Sequence, residues 1–170
     1  IVIDWLCEKR RISDAIEHAL DGGLPEKAAA LLAAPEAFVE IRVNGRFLTH
    51  HRWISALPPE VVAERPLLLL RNGAALFHLR ARRREAWDYL ERGAALAEAN
   101  GHTADYRLGL RYMAFFHGDE GRNREALTLY HRLIALPALD TAQKIAALQD
   151  MISLYAYAAL GDSIQADSLE

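Results

Sequence analysis

The chain of 170 residues has a single cysteine, no long apolar run and no excess of positive charge. Cys7 alone can form no internal disulfide and lacks the second sulfur of a zinc or redox pair, so a reducing, cytoplasmic setting is predicted. The most apolar run, residues 67–70, ends at Arg71, far short of the roughly 20 residues that span a bilayer. The net charge of −3 provides no positive field that would favour nucleic acid or an anionic membrane.

Motifs that would make the chain an enzyme are also missing. There is no G-x-x-x-x-G-K-[ST] phosphate loop, and no glycine is followed by lysine. The seven histidines lack zinc-site spacings such as H-E-x-x-H, and the adjacent His50 and His51 point to different sides of a helix. The acidic residues are spread along polar faces without a distinct acid–base pair. We therefore predict no catalytic residue, no metal site and no cofactor in this chain.

One short pattern recurs, in which a turn residue is followed five positions later by an alanine within an apolar helix. The pairs are Gly23 with Ala28, Gly121 with Ala126 and Gly161 with Ala166. Ala81 with Ala86 is a looser copy of the pattern, in which the turn residue is not glycine. Three of these alanines, Ala86, Ala126 and Ala166, are 40 residues apart. A small side chain at this point lets the second helix of a pair approach the first closely. The pattern predicts an all-α fold, a right-handed superhelix of antiparallel pairs similar to tetratricopeptide repeats.

The periodicity also predicts how the chain is divided. Residues 1–65 are expected to form an N-terminal helical linker with irregular helix pairs. Residues 66–170 are expected to form repeats at about 66–101 and 102–139 and a truncated one at 140–170, all in one continuous domain. Pro66 should open a helix that is apolar on nearly every face, as is typical of the inner helix of a stack. Gly161 should end one helix and begin the last.

Several stretches resemble MalT-like transcription activators, which are ATP-dependent regulators with a C-terminal LuxR-type helix-turn-helix. Residues 51–61 read HRWISALPPEV and residues 64–68 read ERPLL, similar to the family's W-[LI]-x-A-L-P turn and R-P helix. Residues 5–9 and 14–23, WLCEK and DAIEHALDGG, resemble the family's helical linker. Residues 121–126, GRNREA, keep the family's GR-x-x-EA turn, whereas residues 81–86, ARRREA, lack the glycine.

The resemblance covers roughly residues 5–136. It implies the effector-sensing middle part of a bacterial, cytoplasmic signal-transduction ATPase. The ATP site and the DNA-reading helices of such a protein would lie outside residues 1–170, so this segment itself would be non-catalytic and would not bind nucleic acid directly.

A candidate binding site comes from the expected curvature of the repeats. Alignment on the repeated alanines places Arg71, His78, Arg111, Phe115 and Tyr155 on the concave face, where such solenoids bind partners. Mixed arginine, histidine and aromatic chemistry suits an anionic, hydroxylated or peptide ligand. We predict that an inducer or regulatory protein binds there and shifts the stack between two arrangements. Solvation or self-packing of these side chains is the alternative.

Three other interpretations remain open at this point. The chain could be a pure docking or self-association scaffold without a small ligand, or an enzyme on a helical-repeat scaffold. The third is nucleic-acid binding through residues 80–84, RARRR, although no aromatic residue is interleaved there to stack on bases. We expect this stretch to be a solvated turn or a contact for an acidic surface, such as another domain of the same chain. Trp5, Trp53 and Trp87 are expected to be packing residues.

Overall fold

The computed structural model describes residues 1–80, 82–137, 139 and 141–167, with side chains as far as residue 156. The described residues form eleven α-helices and no strand, which confirms the all-α prediction. The helices are α1 (Val2–Glu8), α2 (Ile12–Asp21), α3 (Pro25–Ala33), α4 (Pro35–Asn44), α5 (Phe47–Ser55), α6 (Pro59–Ala63), α7 (Pro66–His78), α8 (Arg83–Ala99), α9 (Thr103–Asp119), α10 (Asn123–Ala135) and α11 (Thr141–Asp167). None of the described helices combines the length and the apolar character needed to cross a bilayer.

Prolines and glycines set several of the helix boundaries. Proline occupies the first turn of α3, α4, α6 and α7, where its missing N–H would have no helical partner in any case. Gly45 ends α4 with a left-handed φ of 65°, a conformation that glycine adopts without steric cost. Gly121, with φ 73°, makes the turn before α10.

The chain divides into two compact units, unit 1 at Ile1–Tyr106 and unit 2 at Arg107–Glu170, so the division falls inside α9. The core of unit 1 joins the N-terminal helices to α7, because Leu68 and Leu69 belong to the same apolar cluster as Ile16 and Leu32. Residues on both sides of the expected boundary between the N-terminal linker and the repeats, at 65/66, therefore belong to one core.

Helices α7 and α8 form the closest helix pair of unit 1. A Cβ placed on Gly73 would lie 2.7 Å from Leu90 Cγ and 2.9 Å from the carbonyl oxygen of Ala86. One placed on Gly93 would lie 2.8 Å from Leu70 Cγ. Ala86 itself is fully buried. The small residue expected at position 86 therefore does lie at a close helix approach, but the two glycines that set the distance were missed.

The last helix differs from expectation. The backbone is helical from Thr141 to Asp167, so the prediction of a helix boundary at Gly161 is wrong. A glycine inside a helix costs only about 1 kcal/mol relative to alanine, and the surrounding alanines and leucines are strong helix formers. The side chain at Ala166 lies outside the described residues, whereas Ala126 is fully buried in unit 2.

Candidate functional groove

A half-open groove of about 560 Å³ lies in unit 2. Three helices contribute to it, and its lining residues are Ala114, Phe115, Gly118 and Asp119 from α9, Tyr130 from α10, and Asp150, Ser153 and Leu154 from α11. A volume of this size is within the range of small-molecule sites, which are usually apolar with a few polar groups.

Helical spacing explains how the walls are made. Ala114 and Gly118 are four residues apart on α9, so they share one face of the helix, and Phe115 flanks them. Leu154 of α11 approaches this face closely, since a Cβ on Gly118 would lie 2.9 Å from its Cδ1 atom. Phe115 lines the groove and remains 55% exposed, which places it at the mouth of the groove.

Charged and hydroxyl groups lie at defined places in the groove. Arg111 donates from Nε to Asp150 Oδ2 at 2.8 Å, which partly neutralises that carboxylate. The pKa of Tyr130 is raised to about 12, mainly by burial and also by the nearby Asp150, while Arg111 opposes the rise. The phenol of Tyr130 therefore keeps its proton at neutral pH and can donate a hydrogen bond. Ser153 donates to the carbonyl of Gln149 at 3.0 Å, which leaves its oxygen as an acceptor.

This chemistry favours some ligands over others. Apolar walls with two carboxylates and two hydroxyl groups suit a hydroxylated or amine-bearing organic molecule. An anionic ligand is disfavoured, because it would face Asp119 as well as Asp150. Within the part of the chain that the structure describes, no three His, Cys, Asp or Glu side chains come together as potential metal ligands.

The five residues predicted for a concave face are distributed between the two units. Phe115 lines the groove of unit 2, and Arg111 contacts the groove through its ion pair with the lining residue Asp150. Tyr155 is 54% exposed on α11 and is not among the described lining residues. His78 is exposed at the end of α7 in unit 1, with its ring stacked on Phe47 at 4.3 Å between centroids.

Arg71 is in a different environment from the one expected. It is only 7% exposed, and its Nη1 donates to the carbonyl oxygens of Leu32 at 2.7 Å and Ala34 at 2.9 Å. Its guanidinium also lies 5.3 Å from the ring centroid of Phe38. Arg71 is thus a buried anchor between α7 and the α3–α4 junction, and the expectation that it lies on an open binding surface is wrong.

Sequence reasoning missed the remaining lining residues, above all Tyr130, Asp150 and Leu154. A usable signal was the repeat spacing itself. Arg111 and Asp150 are separated by 39 residues, and the same separation joins Arg65 to Glu26 and Arg71 to Leu32. In these three cases an arginine contacts a residue one such interval away, a signal that the alanine spacing alone did not suggest.

Comparisons with protein-family models, with curated proteins and with solved structures find no significant match to this chain. The likeness to MalT-like activators therefore depends on the sequence motifs alone.

Proposed function

We propose that this chain is an effector-sensing and protein-interaction segment of an ATP-dependent transcription activator of the MalT-like, LuxR-type class. In this proposal the groove of unit 2 binds a small inducer or a side chain of a regulatory protein, and the segment itself carries out no catalysis. The single observation that supports a recognition role most directly is the groove, with the half-exposed Phe115 at its mouth and the protonated Tyr130 in its wall.

The proposed mechanism is a ligand-dependent change in how the helices of unit 2 pack. A ligand can shift a conformational equilibrium only by its difference in affinity for the two states. The groove is lined by α9, α10 and α11 together, so a ligand that fills it would favour one arrangement of these three helices. In a right-handed superhelix of tetratricopeptide-like pairs, such a change would be passed to neighbouring repeats and to the ATPase of a cytoplasmic parent protein.

Saturation-transfer NMR with matched small molecules tests the ligand class. Benzylamine and benzyl alcohol are expected to give transfer to the chain, whereas benzoate of the same size is expected to give little, because it would meet the two carboxylates. Phe115→Ala is expected to weaken the signal. Trp5→Ala is the matched control, since it removes an exposed aromatic side chain from unit 1. Equal signals for amine and carboxylate, or a signal unaffected by Phe115→Ala, would contradict the proposed site.

The proposed parent protein has its own test, which is the sequence that flanks this chain in its genome. A phosphate-binding loop upstream and a helix-turn-helix downstream are expected. Their absence would refute the activator class without affecting the groove.

A second candidate function is self-association, and it is supported by the outer face of α11. Ile145, Leu148, Ile152 and Tyr155 are each about half exposed or more and recur at intervals of three and four residues. Such spacing forms one apolar seam along a helix, as in helices that pair with another copy. Multi-angle light scattering across a range of protein concentrations tests this candidate: a mass that rises for the wild type and stays monomeric for Leu148→Gln supports it, and a constant monomer mass for both excludes it.

A further inference from the structure

Arg82, which follows α7 in unit 1, contacts a second, smaller groove on α5. This groove has a volume of about 390 Å³ and is lined by Leu48, Thr49, His51, Arg52 and Ser55. Two contacts connect α5 to the α7–α8 turn. Phe47 stacks on His78, and Arg82 donates from Nη1 to His51 Nε2.

The two contacts assemble a basic surface from separate parts of the chain. It consists of the exposed Arg46, Arg52, Arg80, Arg82 and Arg84. The residues after α7 also supply two carboxylates, Glu85 and Asp88, so the local formal charge is five minus two, or +3, in a chain whose net charge is −3. A concentration of one charge against the overall balance is a typical feature of a binding surface for an oppositely charged partner.

Most of these guanidinium groups are available for a partner. The side chains of Arg46, Arg52, Arg80 and Arg84 are exposed and make no hydrogen bond or ion pair with any residue that the structure describes. Arg82 is held in place by His51 and by Glu85, whose Oε2 lies 3.1 Å from its Nε. Arginine can only donate, so the Nε2 of His51 accepts from Arg82, and the Nδ1 of the same ring lies 3.0 Å from Asn72 Oδ1, so both ring nitrogens have partners.

We propose that this basic surface and the α5 groove bind an acidic peptide segment of a partner protein. The groove favours a peptide because it combines apolar and polar groups: Leu48 is 63% exposed beside the hydroxyls of Thr49 and Ser55. It can therefore hold an apolar side chain while carboxylates on either side pair with Arg52 and Arg82. Nucleic acid is a poorer occupant, because the Phe47 and His78 rings cover one another and the whole chain is acidic.

Fluorescence anisotropy with a labelled peptide tests the proposal on the full chain. The probe is a short peptide of glutamates around a central leucine, with a lysine version and a single-stranded thymidine oligonucleotide as comparisons. We expect the glutamate peptide to bind at low salt, to weaken as salt rises, and to bind more tightly than either comparison. Tighter binding of the oligonucleotide, or no binding of the peptide at low salt, would overturn the proposal.

Variants locate the binding. Arg52→Gln and Arg82→Gln are each expected to weaken peptide binding about threefold. Within the described part of the chain the Arg52 side chain has no partner to lose, so its substitution is expected to leave the fold intact. Glu85→Gln is expected to strengthen binding about twofold, because it removes the carboxylate that competes for Arg82. Arg124→Gln is the matched control, an exposed arginine in unit 2, and should change nothing. Equal effects of Arg52→Gln and Arg124→Gln would refute the site, and neither outcome depends on the groove of unit 2.

Discussion

Helices α7 and α11 are both rich in apolar residues, yet their surroundings differ. Helix α7 packs against α3, α5, α6 and α8, and its residues from Leu68 to Leu76 are buried. In α11 the buried positions include Ala147 and Met151, while Leu148 and Ile152 remain exposed. An apolar helix is stabilised when all of its faces are buried, but whether they are buried depends on the neighbouring helices. The exposed face of α11 is consequently the part of unit 2 most suited to a further contact.

Replacing one leucine by alanine in each helix should give the largest difference in the free energy of unfolding. Leu70 is fully buried against Gly93, so Leu70→Ala should lower the free energy of unfolding by about 4 kcal/mol through lost burial and a cavity. Leu148 is 47% exposed, so Leu148→Ala should cost less than about 1 kcal/mol. Urea unfolding of both variants measures the difference. Similar losses would mean that α11 is covered in solution, for example by a second copy.

The arginines predicted to bind ligand should differ in their effect on stability. Arg71→Met should lower the free energy of unfolding by about 2.5 kcal/mol, because it leaves the buried carbonyls of Leu32 and Ala34 without their donor. Arg111→Gln should change it by less than about 0.5 kcal/mol, since the pair with Asp150 is exposed to solvent. Thermal and urea unfolding of each variant check this. A stable Arg71→Met protein would contradict the anchoring role.

The buried His50 should make unit 1 sensitive to acid. Its ring is inaccessible, neither nitrogen has a hydrogen-bond partner among the described residues, and burial lowers its pKa to about 3. Because the unfolded chain takes up the proton near pH 6.5 and the folded chain does not, stability is lost as the pH falls below about 6.5, at roughly 1.4 kcal/mol per pH unit.

The variant His50→Leu removes that titration. It should match the wild type near neutral pH and exceed its stability by about 2 kcal/mol at about pH 5. Urea unfolding of both proteins at several pH values gives the comparison. Two curves that stay parallel from neutral pH to about pH 5 would show that His50 does not couple folding to protonation.

The fold was more predictable than the site because its signals are local. Prolines at first turns act within a few residues, so the helix expected to open at Pro66 begins there. The alanine at position 86 also marked a real close approach. Gly161 shows the limit of such signals, since a glycine can either end a helix or be accommodated within it. Here the helix continues through Gly161, because the flanking residues favour helix.

The site could be predicted only in part because it depends on contacts between distant residues. A helical arginine such as Arg71 looks solvent-exposed in sequence, and only the position of α3 and α4 shows that two carbonyl groups need its donors. Arg111 and Phe115 were found by alignment on the repeat, but Tyr130 and Asp150 complete the groove from helices whose side-chain directions the alignment did not fix. Burial and partner identity are properties of the assembled core.

The smallest expected difference in stability tests whether the packing around Gly118 in unit 2 accommodates an added methyl group more easily than the packing between α7 and α8. Gly73 and Gly118 are both helical glycines, and alanine is favoured over glycine in a helix by about 1 kcal/mol. At Gly73 the new Cβ would meet Leu90 Cγ at 2.7 Å and the Ala86 backbone at 2.9 Å, so overpacking should outweigh the gain and cost about 1 kcal/mol net.

At Gly118 the new Cβ would meet, among the described side chains, the flexible end of Leu154 at 2.9 Å, and the adjacent groove gives that side chain room to move. Gly118→Ala should therefore leave the free energy of unfolding unchanged or raise it by about 0.5 kcal/mol. It should also narrow the groove and weaken benzylamine binding. Equal destabilisation by the two substitutions in urea unfolding would show that α9 and α11 pack as rigidly as α7 and α8, and a rigid groove could not support the ligand-dependent repacking proposed for unit 2.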